Sequence, residues 1–268
     1  MGKISQAAKD QYAERVREYK QSTEQILKHE KTILQTIEKE TNGAGYKKVQ
    51  LADERMNLAS LYLLMNRLSL SLLGVKNDNF LNEARRSCYQ SVIYLEDVVS
   101  NIVDGAFSDY SDRLEAIEEL PDEDRYKLSQ KIGFTIQSVE EDFGEGAKWR
   151  WAFVELEARY TTVTKNLMNL KTMIAGLDPR VPGYEARLEH LRFVKELLQR
   201  SADRYREKYE LATGRMDDFK QAIAFLSALK RIHTVMGETA AADATKKKIE
   251  VWRSKMEADE KRMEQNKR

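Results

Sequence analysis

The sequence predicts an all-α fold, an elongated bundle of several helices with long antiparallel coiled-coil stretches. Of its 268 residues, 33% are charged and 41% are hydrophobic, and there are only 3 prolines and 12 glycines. This composition is typical of long amphipathic helices, and β-rich folds need more turn residues. In several segments apolar residues also recur at alternating spacings of four and three, which is the pattern of a coiled-coil seam. The chain is long enough to bury a sizeable core.

The first segments predict three long helices. Residues 5–41 carry a thin heptad-like stripe in which Thr23 and Glu30 occupy seam positions. Because polar seam residues weaken association and set register, we expect this helix to need a specific partner surface. A strongly apolar helix over 47–74 and a second over 79–104 are expected to form the central hairpin of the core.

An acidic segment follows, with eight acidic residues and one base between positions 109 and 124. We expect a short helix over 109–120, an interruption at Pro121, and a helix that runs to about Phe143. A solvated rim is the simpler interpretation of the charge. The alternative is a docking patch, centred on the last three acids, for a basic partner or a basic region of a second copy. The eight acids are Asp109, Asp112, Glu115, Glu118, Glu119, Asp122, Glu123 and Asp124.

Gly144-Glu145-Gly146 is the predicted boundary between an N-terminal helical half, residues 1–143, and a C-terminal coiled-coil half, residues 147–268. The two halves form either separate domains or one continuous domain. The clearest heptad lies in a predicted helix over 147–175. Its seam consists of Trp149, Phe153, Leu156, Tyr160, Val163, Leu167, Leu170 and Ile174.

A second apolar run extends from Tyr184 to His233, after a turn that holds two of the three prolines. An unbroken helix of this length is a rod of about 75 Å, whereas a compact protein of this size has a radius of gyration of roughly 18 Å. Gly214 is the plausible break, but a lone glycine costs a helix only about 1 kcal/mol. The run therefore predicts elongation. Residues 238–266 predict a charged helix docked through Trp252.

Residue types that carry chemistry are sparse. Cys88 is the single cysteine, and its place in an apolar stripe predicts a buried structural thiol. Of the three histidines, His29 and His190 lack a Glu-x-x-His spacing, and His233 lies on an apolar run as a core histidine would. Phosphate loops and nucleophile elbows are absent. The sequence thus predicts no enzyme activity, no metal and no cofactor.

The charge pattern also argues against nucleic acid and membranes as partners. The formal net charge is +1, and residues 238–268 mix nine bases with seven acids, whereas nucleic-acid binding favours a clustered basic stripe. The richest apolar stretch, 58–73, is interrupted by Asn66 and Arg67 and is too short for a membrane span. The N-terminus has no apolar signal core. A cytoplasmic protein is expected, although a removed signal peptide would leave the same sequence.

The leading hypothesis is a non-enzymatic helical scaffold that binds other proteins or a second copy of itself. In a second interpretation, Ala84-Arg85-Arg86-Ser87 resembles the basic helix of the 14-3-3 phosphopeptide binders, which implies a peptide groove contacted by Arg85 and Arg86. A third is a curved, membrane-associated helical dimer of the BAR class. Trp151 lies about 200° around the helix from Trp149, so it is either covered by neighbouring helices or an exposed anchor for a partner.

Overall fold

A computed structural model describes residues 4–144 and 146–265. In this part of the chain there are ten α-helices and no β-strand, so the predicted all-α fold is confirmed. The helices are α1 (Gln6–Lys39), α2 (Ala44–Leu73), α3 (Asp78–Val98), α4 (Ser111–Glu115), α5 (Asp122–Phe143), α6 (Ala147–Leu167), α7 (Leu170–Ala175), α8 (Tyr184–Lys208), α9 (Met216–Val235) and α10 (Thr239–Gln265). None of the helices described combines the length and the apolar character that crossing a bilayer requires.

The chain divides into two compact units. The first comprises Met1–Val99, Glu115–Leu120 and Lys127–Arg150, and the second comprises Ser100–Leu114, Pro121–Tyr126 and Trp151–Arg268. The sequence-based division at Gly144-Glu145-Gly146 stays a prediction, and its central residue, Glu145, lies outside the described residues.

In the first unit, α2 packs against both α1 and α3. Local signals set the helix ends: the Ser5 hydroxyl accepts a hydrogen bond from the Ala8 amide at the start of α1, and Gly74 takes a left-handed conformation, with φ of +66°, at the end of α2. α3 ends at Val98, short of the predicted residue 104. The buried apolar side chains of α2 and α3 include Leu51, Met56, Leu63, Leu81, Cys88 and Leu95. Burial raises the pKa of the Cys88 thiol to about 12, in keeping with the predicted structural role.

The polar seam positions of α1 are both buried. Glu30 accepts hydrogen bonds from Arg55 Nε and Nη2 of α2, at 2.7 and 2.5 Å, and from the Tyr94 hydroxyl of α3 at 2.5 Å. Burial, followed by the Glu30 carboxylate, raises the pKa of Tyr94 to about 12, so its hydroxyl stays a donor. One carboxylate therefore ties α1 to both neighbouring helices, and a slip of α1 by one turn would leave it unpaired.

The second unit is built around the C-terminal part of α6. Every residue from Tyr160 to Met168 is buried, although five of the nine are threonine, lysine or asparagine. Two of these residues bond to neighbouring elements: Thr161 shares a hydrogen bond of 2.8 Å with Ser201 of α8, and the Asn166 amide nitrogen donates to the carbonyls of Ser100 and Ile102. Thr164 Oγ1 and Asn166 Oδ1 are buried without a hydrogen-bond partner. A segment buried on all sides is a core helix, whereas a coiled-coil seam buries one stripe.

The predicted continuous helix over 147–175 is wrong. α6 ends at Leu167, where the buried Arg125 guanidinium donates to the Leu167 carbonyl at 3.1 Å, and the Asn169 side chain accepts from the first amides of α7. Ile174, the last predicted seam position, is 52% exposed. The helix stops because these two polar side chains satisfy backbone groups that a continuous helix would have paired internally.

The predicted 50-residue rod over 184–233 is also wrong. α8 passes into a π-helical turn, Tyr209–Thr213, and Gly214 follows with φ of +59°, its amide bonded to the Tyr209 carbonyl at 3.0 Å. α9 then packs back on α8, and the rings of Tyr205 and Phe225 stack at 6.0 Å. Burying the apolar faces of α8 and α9 against each other stabilises the hairpin by more than the roughly 1 kcal/mol that a single glycine costs a continuous helix.

The acidic segment is partly helical. A 3-10 turn over Phe107–Asp109 and the short α4 replace the predicted helix over 109–120, and α5 begins at Asp122 as predicted. The last predicted helix is present as α10, with Trp252 3% exposed.

We expect Glu30→Ala to lower the free energy of unfolding by about 3 kcal/mol, because it removes the shared acceptor of Arg55 and Tyr94 in a buried site. Urea denaturation followed by circular dichroism measures the change. Glu24→Ala, at an exposed position of the same helix, is the matched control and should stay within about 0.5 kcal/mol of the parent. Equal effects of the two substitutions would contradict the structural role of Glu30.

We expect acidification to destabilise the second unit through His190. This residue is buried, its Nε2–H donates to the Thr164 carbonyl at 3.1 Å, and burial lowers its pKa from 6.5 to about 4. Between these two values the unfolded chain binds a proton that the folded chain does not, so the free energy of unfolding falls by roughly 3 kcal/mol as the pH drops from 6.5 to 4.

Urea denaturation at a series of pH values measures this slope. His190→Gln retains an amide donor for the Thr164 carbonyl and has no proton to bind, so it should flatten the slope. An unchanged slope in this variant would assign the acid sensitivity to other groups.

Candidate functional site

An open groove of about 840 Å³ lies in the second unit between α8, the end of α9 and the start of α10. We call it the α8–α10 groove. Its uncharged lining includes Leu229 of α9 and three small residues of α10, Ala241, Ala244 and Thr245. The α8 side is charged and polar: Lys195, Glu196, Gln199, Arg200, Asp203, Arg204 and Glu207.

Trp252 fixes the wall of the groove that α10 forms. Its ring meets Phe219 edge-on at 6.2 Å and lies between two cations, the Arg206 guanidinium at 4.7 Å and the Lys248 ammonium at 4.9 Å. Cations over an indole face add attraction to the area that the ring buries. Lys248 also pairs with Asp203 of α8 at 2.9 Å, so α10 is held to α8 beside the groove.

The α8 wall is held by a buried carboxylate beneath it. Glu157 of α6 is buried and pairs with Arg204 at 2.5 Å and with Arg200. A carboxylate shared by two guanidinium groups fixes their positions through charge-assisted hydrogen bonds. The arginine side chains are therefore ordered before anything enters the groove.

A second ionic cluster closes one end of the groove. Glu238 accepts from Lys195 Nζ and His233 Nδ1, each at 2.5 Å. Burial raises the pKa of the Glu238 carboxyl, but the hydrogen bonds from Lys195 and His233 outweigh it, so the pKa lies below its ordinary value. His233 is only half-buried and is bonded to a carboxylate, so the prediction that it is a core histidine is wrong. It lies instead at the end of the groove.

The groove is open along its length, its floor is carbon-rich, and its charges of both signs are largely engaged with one another. Among residues 4–144 and 146–265, no group of three or more histidine, cysteine or acidic side chains is arranged to hold a metal ion. The predicted absence of metals and cofactors stays a prediction.

A family model for the TP0443 family matches residues 8–260. The chain belongs to the TP0443 family. No curated protein and no solved structure matches it. The match covers nearly the whole chain. The matched range therefore includes most of both units and the whole lining of the α8–α10 groove.

The basic residues that the sequence singled out lie in the first unit. The Arg85 guanidinium stacks over the Trp149 ring at 4.9 Å, and its Nε is buried without a hydrogen-bond partner. Arg86 is exposed and pairs with Glu83. The two arginines thus have different surroundings, one against an indole and one in solvent. Trp151, in the second unit, is half-buried and packs against the apolar core of that unit. Partner binding by these residues stays a prediction.

The predicted acidic docking residues differ in environment. Asp122 is half-buried and accepts from Arg187 Nη1 and from the Thr172 hydroxyl, each at 3.2 Å, so it holds the first turn of α5 to α7 and α8 within the second unit. Glu123 and Asp124 are exposed. The docking role of the three acidic residues stays a prediction.

Sequence reasoning did not find the groove. Its charged residues look like an ordinary solvated face of α8, and the pairs that order them join positions between 43 and 47 apart in sequence, such as Asp203 with Lys248 and Glu157 with Arg204. One local signal exists. Two alanines and a threonine stand at spacings of three and one in α10, about two to three turns before the docked Trp252, where a charged helix would otherwise carry larger side chains.

We expect Trp252→Ala to release α10 and destabilise the second unit by about 3–5 kcal/mol, the usual cost of truncating a buried aromatic side chain. Hydrogen exchange with peptide resolution should show loss of protection across α10. Arg253→Ala, its exposed neighbour, serves as the control and should leave protection unchanged. Retained protection of α10 in the tryptophan variant would show that other contacts dock this helix.

Proposed function

We propose that this TP0443 family member is a non-enzymatic helical scaffold protein that binds a helical segment of a partner protein in the α8–α10 groove. The observation that carries the proposal is the groove itself, an open channel of about 840 Å³ between ordered helices. That volume lies within the range of roughly 300–1,000 Å³ of protein binding sites. Action in the cytoplasm is part of the proposal.

A helix is the occupant that the walls favour. Ala241 and Ala244 carry no side chain beyond Cβ, which allows a second helix to approach α10 closely. Helix-in-groove recognition places one apolar face of the ligand on such a floor. The charges along α8 alternate in sign, Glu196 and Arg200 for example, so they favour a ligand helix with a complementary charge pattern and thereby set its register.

A second copy of the chain is the other candidate occupant. Two large apolar side chains of the second unit, Leu211 and Val251, are each 67% exposed. Val251 lies seven residues after Ala244, and so on nearly the same side of α10 as the groove. Exposed apolar groups beside a groove are a feature of association sites. In that case the protein would be a homodimeric scaffold.

A photo-crosslinking residue at position 244 tests both cases. We expect irradiation of cells that produce the full chain with benzoylphenylalanine in place of Ala244 to give a discrete covalent adduct. The same substitution at the exposed Arg253, which points away from the groove, should give none. Introducing Ala241→Trp as a second change fills the groove and should abolish the adduct.

Each outcome has a defined meaning. An adduct of twice the chain mass, together with a concentration-dependent dimer in sedimentation velocity, identifies a second copy as the occupant. An adduct with another protein that Ala241→Trp removes supports the scaffold with a separate partner. No adduct, or one that survives Ala241→Trp, contradicts a docking role for the groove.

A further inference from the structure

One cation in the core of the second unit has no direct ion-pair partner. Lys165, in the last turn of α6, is 5% exposed. In the part of the chain that the structure describes, its ammonium has neither a hydrogen-bond acceptor nor an ion-pair partner, and its specific contact is with the face of the Tyr110 ring, 5.1 Å from the ring centroid. An ammonium without a direct partner is costly at a site this buried, because most of the water around it has been removed. Among the neighbouring buried polar groups of α6, the Glu157 carboxylate and the Asn166 amide nitrogen have partners, whereas Thr164 Oγ1 and Asn166 Oδ1 have none.

Lys165 lines a small, mostly enclosed cavity of about 20 Å³. A single water molecule needs roughly 10–15 Å³ of such space, so the cavity admits a group of one or two non-hydrogen atoms. Most of its walls are apolar, with Val103, Met168 and Leu170 on one side and Ile232 and Val235 of α9 on the other. Arg231 also lines the cavity, but its guanidinium is engaged with the Asp104 carboxylate at 2.9 Å.

The surroundings favour the neutral amine. Burial, together with the nearby Arg231 guanidinium, outweighs the opposing effect of the Asp104 and Asp109 carboxylates, and the pKa of Lys165 falls from 10.5 to about 8. At pH 7 the Lys165 amine is then neutral in roughly a tenth of the molecules. An ordinary lysine is neutral in less than about a thousandth of them. A desolvated neutral lysine is a nucleophile towards carbonyl carbon.

We propose that Lys165 is a covalent modification site at which a one-carbon aldehyde condenses to form an imine inside this cavity. The Lys165 nitrogen lone pair attacks the carbonyl carbon, and a proton moves from nitrogen to the former carbonyl oxygen to give a carbinolamine. Loss of water then forms the C=N bond, with the aldehyde oxygen leaving in that water. No oxidant or reductant is consumed.

The cavity selects both the size and the charge of the adduct. One added carbon matches the available space, and an aromatic aldehyde does not. The imine can be neutral, so it replaces a costly buried charge with a group that suits the apolar walls. An anionic adduct would add negative charge near Asp104 and Asp109, which already act on this lysine.

Reductive trapping on the full-length protein tests the proposal. The chain is incubated with formaldehyde and cyanoborohydride at pH 7.4, and peptide mass spectrometry follows methylation at each lysine over time. Lys246, whose side chain is 62% exposed, is the internal reference. The larger neutral fraction predicts a rate at Lys165 at least about 10-fold above that at Lys246, with a pH midpoint near 8. Benzaldehyde should show no such preference, because it exceeds the cavity.

A rate at Lys165 equal to or below that at Lys246, or a pH profile rising only above 10, would overturn the proposal. So would an equal preference with benzaldehyde.

A cavity variant separates geometry from general reactivity. Val235 lines the cavity at the partly exposed end of α9, so Val235→Phe should slow modification of Lys165 several-fold and leave Lys246 unchanged. An unchanged rate at Lys165 in this variant contradicts reaction within the cavity.

Lys165→Met gives a readout that needs no aldehyde. Removing the buried charge should raise the melting temperature at pH 7. The difference should shrink as the pH rises from about 8 to 10.5, where the folded parent has already lost the proton that its unfolded chain still binds. A lower melting temperature at pH 7, or a difference that does not depend on pH, would show that the ammonium is not desolvated.

Discussion

Burial of polar groups inside long helices is the constraint on which both units depend. Most of the helices are amphipathic, yet several carry charged or hydroxyl side chains at positions that packing removes from water. Many of these groups have a partner in another element, because an unmet hydrogen bond or charge in the core costs more than an ordinary apolar contact contributes. Glu30 in the first unit and Glu157 in the second show the same solution, a buried carboxylate shared by donors from neighbouring helices. Such pairs specify register more narrowly than apolar contacts, which tolerate sliding.

This constraint also accounts for the helix ends that interrupt the heptads. Arg125 and Asn169 satisfy backbone groups between α6 and α7, and Arg187 donates to the carbonyls of Gly176 and Pro182 in the turn before α8. Gly176 is required there, since an added Cβ would lie 2.3 Å from Arg187 Nε. The turns are thus held by long cationic side chains that reach back from adjacent helices, which brings α6, α7 and α8 into one packed unit.

The α8–α10 groove and the Lys165 cavity, both in the second unit, differ in whether their charged side chains are paired. Around the groove, many of the charges have partners and are held in place, so the groove has a defined shape before any ligand enters. At Lys165 the partner is missing, and the protein retains an amine that stability alone would replace with an apolar side chain. A scaffold function accounts for the groove but not for the lysine. The TP0443 family match over residues 8–260 includes the residues of both features. Either of the two proposals can fail without the other.

The sequence by itself determined the fold class and much of the helix placement. Capping residues such as Ser5 and Gly74 act within one turn of their own helix, and the apolar spacing marks which face of each helix is buried, so both can be seen without tertiary contacts. The sequence also predicted that Trp252 docks α10, since a lone tryptophan in a charged helix marks the face of that helix that is buried.

The tertiary structure determines what each apolar face packs against. The same spacing over 184–233 fits a rod or a hairpin, and only the contact of α9 with α8 selects the hairpin at Gly214. The groove and the isolated charge of Lys165 arise from residues far apart in the chain, because pairing and desolvation are properties of neighbours in space, which local sequence does not encode.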